Sequence, residues 1–251
     1  MRREEQFFVV EGVRMFREAP DEWIREVYVS ETLLRKWEQE HDRESRERIK
    51  KYQCEVLTDE VFRKVSDTQT PQGVLCVLAM PHYELAQRLE EDMADSSRPP
   101  LYVLLEDLQD PGNLGTILRA GEGAGVDGVI MTRRTVDIFN PKVIRATMGS
   151  IYRVPFYIVD DLGGTVSLLR KSGVRVYAAH LDDSVDYDVP DYTKPTAFLI
   201  GNEGGGLRRE TAQTASQYIK IPMAGQVESL NAAAAAAILM YEAARQHRRG
   251  Q

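Results

Sequence analysis

The sequence predicts an α/β fold in two units, a smaller one followed by a larger one with a largely parallel sheet. Three observations carry this. Short apolar runs alternate with amphipathic stretches along most of the 251 residues. One segment, Asp95-Ser96-Ser97-Arg98-Pro99-Pro100, interrupts the pattern with small polar residues and a double proline that cannot continue a helix. Downstream of it each strand is bounded by helices, as in a parallel sheet covered on both faces. The expected boundaries are 1–80 for the first unit, 81–100 for the connection and 101–251 for the second.

In the first unit, residues 7–10, 24–29, 54–57 and 73–79 have strand character. Residues 11–18, a highly charged stretch within 31–51, and 59–65 behind the N-cap candidate Thr58 have helical character. Residues 83–92 form a connecting helix. In the second unit the strands are 101–105, 129–131, 155–159, 175–179, 197–200 and 218–221. The helices between and after them are 114–124, 141–150, 165–171, 207–215 and 230–245. No internal repeat is present. The alanine run at 232–237 is a strong helix former whose small side chains let another helix or chain approach closely.

The hydrophobic fraction of 43% and charged fraction of 28% are those of an ordinary globular protein. No apolar run approaches the ~18–20 residues needed to span a bilayer, and Met1-Arg2-Arg3-Glu4-Glu5 lacks the apolar stretch of a signal peptide. Cys54 and Cys76 are not in C-x-x-C spacing and fit a reducing compartment, so a cytoplasmic protein without membrane contact is expected. His41, His82, His180 and His247 are scattered, and no metal site is expected. The net charge of −7 weighs against a nucleic-acid partner. Between 133 and 153, however, Arg133, Arg134, Lys142, Arg145 and Arg153 face a single acid, Asp137. That stretch fits a solvated face as well as it fits a binding patch.

Gly123-Ala124-Gly125-Val126-Asp127-Gly128 matches the dinucleotide fingerprint G-x-G-x-x-G. That motif works only between a strand and a following helix, whose N-terminus then faces the pyrophosphate. Here a helix precedes and a strand follows, so the glycines end the helix and turn the chain.

Three segments carry the candidate chemistry. Residues 106–119 follow a strand and open a helix, where ligands gather in open α/β sheets; Asn113 lies near the N-cap and Arg119 about two turns along. Residues 140–150 begin Asn140-Pro141 and reach Gly149, a helix with proline at its start and glycine near its end. The third segment is split. Gly201-Asn202-Glu203-Gly204-Gly205-Gly206 follows an apolar strand and lets a ligand approach backbone amides; Ile221-Pro222-Met223 ends another strand; Ser229-Leu230-Asn231 leads into the last helix.

In this order the three segments resemble the SpoU (TrmH-type) family of RNA 2′-O-ribose methyltransferases within the SPOUT superfamily. The resemblance covers most of 101–245. The first unit resembles that family's L30e-like substrate-binding domain through Phe8-Val9-Val10-Glu11-Gly12 and the segment from Ser66 to Gly73. The resemblance implies a trefoil-knotted C-terminal SPOUT domain, S-adenosyl-L-methionine as cofactor with contacts at Gly201, Ile221 and Leu230, and a homodimer whose site is completed by the partner chain. It also places Asn113, Arg119, Glu203 and Asn231 in the catalytic site. A guanidinium with a pKa above ~12 is a poor general base. Arg119 is better suited to holding a nucleotide phosphate and stabilising the developing alkoxide. One departure is Ala232-Ala233, where the family often has a valine just after the position of Asn231.

The implied reaction is methylation of ribosomal RNA on a ribose 2′-oxygen. The alternatives are a transfer-RNA 2′-O-methyltransferase, a SPOUT enzyme acting on a base, and a catalytically idle RNA-binding relative.

Overall fold

The structure is a computed structural model that describes residues 6–249 except Gln53 and Ser96. The charged start at Met1–Glu5, and Ser96 of the expected linker, thus lie outside the described residues. The chain forms two compact units. One comprises residues 6–82 with Phe139–Tyr152; the other comprises Tyr83–Ile138 with residues from Arg153 onward.

The first unit is built on β1 (Phe7–Glu11), β2 (Ile24–Ser30), β3 (Glu55–Leu57) and β4 (Val74–Ala79), in the order β1-β4-β2-β3. Strand β4 is antiparallel to both neighbours, and β3 is parallel to β2. Along β1, Phe8 and Val10 are buried while Phe7 and Val9 face out, the period of two expected of a half-buried strand. The helices are α1 (Val13–Glu18), α2 (Glu31–Gln39), α3 (Arg43–Lys51) and α4 (Asp59–Val65). The charged stretch 31–51 is thus two helices. His41 turns left-handed with φ 53°, and Asp42 then caps α3 by accepting from Ser45 N at 3.1 Å. Thr58 caps α4, as its position suggested.

The rest of the chain runs α5 (Leu85–Ala94), β5 (Leu101–Leu105), α6 (Pro111–Ala124), β6 (Gly128–Thr132), α7 (Pro141–Thr147), β7 (Phe156–Val159), α8 (Leu162–Lys171), β8 (Arg175–Ala179), β9 (Val185–Asp186), β10 (Thr196–Ile200), α9 (Arg209–Ala212), β11 (Gln217–Lys220) and α10 (Ala232–Arg249). Of these, α7 belongs to the first unit and the others to the second. The sheet order is β7-β6-β5-β10-β8-β11-β9, and every pairing is parallel. Strands β5, β6 and β10 are buried throughout, as strands covered on both faces must be. From β5 the chain steps outward to β6 and β7, then crosses to build the other side. Strands β5 and β10 therefore lie side by side with Leu105 opposite Ile200, and their carboxyl ends flank a topological switch point, the crevice where such sheets bind ligands.

The excursion Phe139–Tyr152 belongs to the first unit because its aromatic ends are buried there. The Phe139 ring lies 4.7 Å from that of Phe8, and Tyr152 donates to Met15 O at 3.0 Å. The helix expected over 141–150 stops at Thr147, because Met148 (φ 52°) and Gly149 (φ 95°) both turn left-handed. The helix expected over 207–215 contracts to α9, and the two-residue β9 is too short to leave a periodic signal.

The G-x-G-x-x-G segment lies where its context placed it. Helix α6 ends at Ala124, Gly125 is its left-handed cap with φ 77°, and Gly128 opens β6. A Cβ on Gly128 would come within 2.8 Å of the Tyr157 ring, so packing demands this glycine. Among the described residues no helix is long and apolar enough to cross a membrane, and no three His, Cys, Asp or Glu side chains are grouped to hold a metal ion.

Asp127, 7% exposed, ties this turn to the start of β5: its carboxylate accepts from Arg98 Nη1 at 2.9 Å and from Leu101 N at 2.8 Å. Asp127→Asn keeps an acceptor but loses the charge opposite a buried-side guanidinium edge. It should lower unfolding free energy by about 1–3 kcal/mol, measured by urea denaturation.

Candidate functional site

The site starts at the first turn of α6. Two residues there could serve as N-cap, and the one that does is Asp110, which accepts from Asn113 N at 2.8 Å. Asn113, placed near the cap by the sequence, sits one turn inside the helix and is 8% exposed, so its amide is free for longer-range partners. Asn113 Nδ2 donates to Glu203 Oε1 at 3.0 Å, and Asn113 Oδ1 accepts from Asn231 Nδ2 at 2.9 Å. Asn231 Oδ1 in turn accepts from Ala233 N at 2.9 Å and Ala234 N at 3.2 Å, capping α10. Every amide group of the two asparagines is oriented by a partner.

Glu203 closes the network. Besides Asn113 it accepts from the backbone N–H groups of Gln109 (3.0 Å) and Asp110 (2.9 Å), just ahead of α6. Partial burial pushes its carboxyl pKa up, but the hydrogen bonds from Gln109, Asn113 and Asp110 outweigh that and hold it below the ordinary value. The carboxylate is ionised at neutral pH, and its lone pairs are engaged.

Gly201–Gly206 is a tight hairpin. Asn202 and Gly206 exchange backbone hydrogen bonds at 3.0 and 2.9 Å, and Asn202 Oδ1 accepts from Gly204 N (2.9 Å) and Gly205 N (3.0 Å). Asn202 Nδ2 donates to Asp107 O at 2.8 Å, fixing the hairpin to the end of β5. A Cβ on Gly201 would run into the Gly206 carbonyl and Leu207 nitrogen, so no side chain fits there. Beside the hairpin opens a cavity of about 690 Å³, lined by Gly201, Ile221 and Leu230 together with Glu203, Asn231 and Leu239.

The fold thus assembles Asn113, Glu203 and Asn231 into one network and Gly201, Ile221 and Leu230 around one cavity. Arg119 stands apart. Six residues beyond Asn113, it lies about 240° around the helix axis. It is exposed, and its side chain makes no hydrogen bond or ion pair among the described residues. The segment from Asn140 to Gly149 belongs to the first unit and does not line this cavity. Sequence reasoning missed His180, Leu181 and Asp182, which follow β8 and line the cavity. Their one signal was the strand-end rule that exposed the other segments.

With this geometry, the comparison with known proteins is specific. Residues 100–241 match the SpoU rRNA Methylase family, and residues 1–76 match the MRM3-like substrate binding domain. The chain belongs to the SpoU methylase family. Among its relatives is the 23S rRNA (guanosine(2553)-2′-O)-methyltransferase of Bacillus subtilis, 35% identical over 189 residues, which span 75% of this chain and 71% of that protein. The SpoU methyltransferase AviRb of Streptomyces viridochromogenes, solved in complex with the cofactor AdoMet, superposes with a TM-score of 0.82 at 28% identity, covering 100% of this chain and 94% of that one. An AdoMet-bound rRNA methyltransferase from Sinorhizobium meliloti gives 0.80 at 31% identity, covering 97% and 89%.

Because the folded pKa of Glu203 lies below its ordinary value of 4.5, its contribution to stability is complete above that value and fades as pH falls through the lower folded pKa. The stability difference between wild type and Glu203→Gln should therefore be constant near neutrality and shrink in acid, as read by chemical denaturation across pH. A difference that grew in acid would contradict the assignment.

Proposed function

We propose that this protein is an S-adenosyl-L-methionine-dependent methyltransferase that modifies a ribose 2′-oxygen of ribosomal RNA. The observation that carries this is the convergence of Gly201, Ile221 and Leu230 on one cavity whose wall also includes Glu203 and Asn231. At about 690 Å³ the cavity falls in the roughly 300–1,000 Å³ range of small-molecule sites. Its lining fits the cofactor, since the hairpin offers close backbone approach while Ile221, Leu230 and Leu239 offer apolar contact. These residues would hold S-adenosyl-L-methionine, which supplies a methyl group already activated on a sulfonium. AviRb and the Sinorhizobium meliloti enzyme, both solved with AdoMet, support the same cofactor here.

Asn113, Glu203 and Asn231 are the catalytic-site residues of this reading, and their hydrogen bonds define their work. Glu203 fixes the first turn of α6, and the two asparagines carry that constraint to the start of α10, so the cavity wall keeps one shape. Glu203 is not a general base: it is already committed to several donors, and its lowered pKa makes it a weak proton acceptor. The nucleotide must be positioned and the charge growing on its oxygen stabilised, which is the work of a guanidinium. Arg119 performs it on the partner's site in a homodimer. Its helix face supports this, because Gly112, Thr116 and Gly123 are exposed beside it, as are Ala234 and Tyr241 on α10. Gly112 and Ala234 there let a second copy approach closely, while the Tyr241 hydroxyl fills the space over Gly123. The first unit, matching a substrate binding domain, takes the RNA by shape.

Localisation is cytoplasmic in this reading. Cys54 and Cys76 are free thiols, pushed up to about 11 and about 12 by burial, and neither is disposed to oxidise.

Incubation with methyl-labelled S-adenosyl-L-methionine and in vitro transcribed 23S ribosomal RNA, followed by nuclease digestion, should leave label on ribose. Label on a base would sink the 2′-O assignment, and cofactor binding without any transfer would point to an idle relative. The shared site has its own test. Arg119→Ala and Asn231→Ala should each be inactive alone, yet mixing and reassociating them should recover roughly a quarter of wild-type activity, since each heterodimer carries one intact site. No recovery despite exchange of subunits would place Arg119 in its own chain's site.

A further inference from the structure

Two Arg-Arg pairs, Arg133-Arg134 and Arg208-Arg209, have no part in the chemistry described above. Arg134 and Arg208 line a second cavity in the same unit, of about 360 Å³, with Glu106, Asp107 and Gln109. The Asn202–Gly206 hairpin supplies another side of this cavity and also lines the 690 Å³ one, so it is a wall common to both.

Glu106 is 1% exposed, and every donor it takes comes from the segment just after the hairpin. It accepts from Arg208 N and Arg208 Nε, both at 2.7 Å, and from Thr211 Oγ1. The Arg208 side chain is nevertheless 54% exposed, and its two outer nitrogens make no hydrogen bond among the described residues. The guanidinium is held by one edge and presents the other. Arg134, 78% exposed, stands 3.9 Å from Asp107 Oδ2, too far for a hydrogen bond. The acids here are already engaged: Glu106 by its donors, and Asp107 Oδ1 by Thr132 Oγ1 at 2.7 Å. A half-exposed ion pair contributes little stability, so stability does not account for committing a buried carboxylate to aim Arg208 outward. A pre-aimed guanidinium edge suits a tetrahedral oxyanion, with which it pairs in bidentate fashion at reduced entropic cost.

We infer that this second cavity binds a backbone phosphate of the RNA substrate, with Arg208 and Arg134 closing on it. The hairpin then has the cofactor on one side and the RNA backbone on the other, which registers the nucleotide to be methylated against the methyl donor. This rests on the RNA methyltransferase reading.

The test uses the full chain with in vitro transcribed 23S ribosomal RNA, measured by filter binding over a range of salt, and S-adenosyl-L-methionine titrated separately by calorimetry. Arg208→Gln and Arg134→Gln should each weaken RNA binding about 5–10-fold and lower the slope of log affinity against log salt by about one. Cofactor affinity should stay within about twofold of wild type, while Arg208→Lys should restore the slope but not the full affinity, because a lysine lacks the fork. RNA affinity and slope equal to wild type would overturn the proposal. So would a loss confined to cofactor binding, which would make Arg208 a brace for the hairpin. Methyl transfer by the wild type tests the functional reading independently of these variants.

Discussion

One carboxylate ties together the strand-end loops around the larger cavity. Glu203 reaches from the glycine hairpin after β10 to the turn before α6, taking two backbone N–H groups and the Asn113 amide from residues 90 to 94 positions earlier in the chain. Asn113 extends the connection to Asn231, 118 residues later. Three loops that would otherwise be independent strand-end excursions become one object. The electrostatics favour it, because an ionised carboxylate ahead of a helix N-terminus faces unpaired N–H groups and the positive end of the helix dipole. An apolar link could not supply this directionality.

That network is possible only because of strand order. Strands β5 and β10 are nearly a hundred residues apart in the chain yet paired in register, with β8 on the far side of β10. The parallel arrangement sends all their carboxyl ends to the same edge of the sheet, so each following loop arrives at one crevice. Gly201 is required by the same crowding: the chain leaving β10 must fold back on itself within six residues to leave the cavity open, and a Cβ would occupy the space that the returning backbone needs. Asn202 then holds the returning strand, engaging the amides of Gly204, Gly205 and Gly206 and fixing the hairpin's shape before any ligand arrives.

Most strands of both units were legible in the sequence to within a residue or two, because buried parallel strands are continuous apolar runs with glycine or proline at their ends. Helix ends were less legible. In Asp110-Pro111-Gly112-Asn113 two good capping residues lie three apart, and only the distant partners Glu203 and Asn231 decide which one caps and which reaches away. The break at His41 within a uniformly charged stretch left no periodic trace. Residues 140–149 read as part of the larger unit because they lie inside its span, whereas burial of Phe139 and Tyr152 against Phe8 and Met15 assigns them to the smaller one. The three site segments were visible as polar, glycine-punctuated strand ends. Their convergence was not, since it depends on β10 inserting between β5 and β8, which local pattern does not encode. The engagement of Glu106 was invisible for the same reason: its partners lie 102 and 105 residues away.

A net charge of −7 appears at odds with an RNA substrate, and the resolution lies in how the charges are used. Many acids are already committed. Asp21 faces Arg48 and Lys51, Asp42 faces Arg17, Asp127 faces Arg98, and Glu106 is buried beneath Arg208. Such pairs cancel at short range and contribute little to the field a polyanion meets. The arginines around the hairpin and along α6 differ in kind. The side chains of Arg119 and Arg209 are exposed without partners among the described residues, and Arg134 and Arg208 each leave guanidinium nitrogens unpaired. An approaching phosphate therefore meets a few uncommitted cations, one of them, Arg208, held in a single orientation by Glu106, rather than the average of the whole surface.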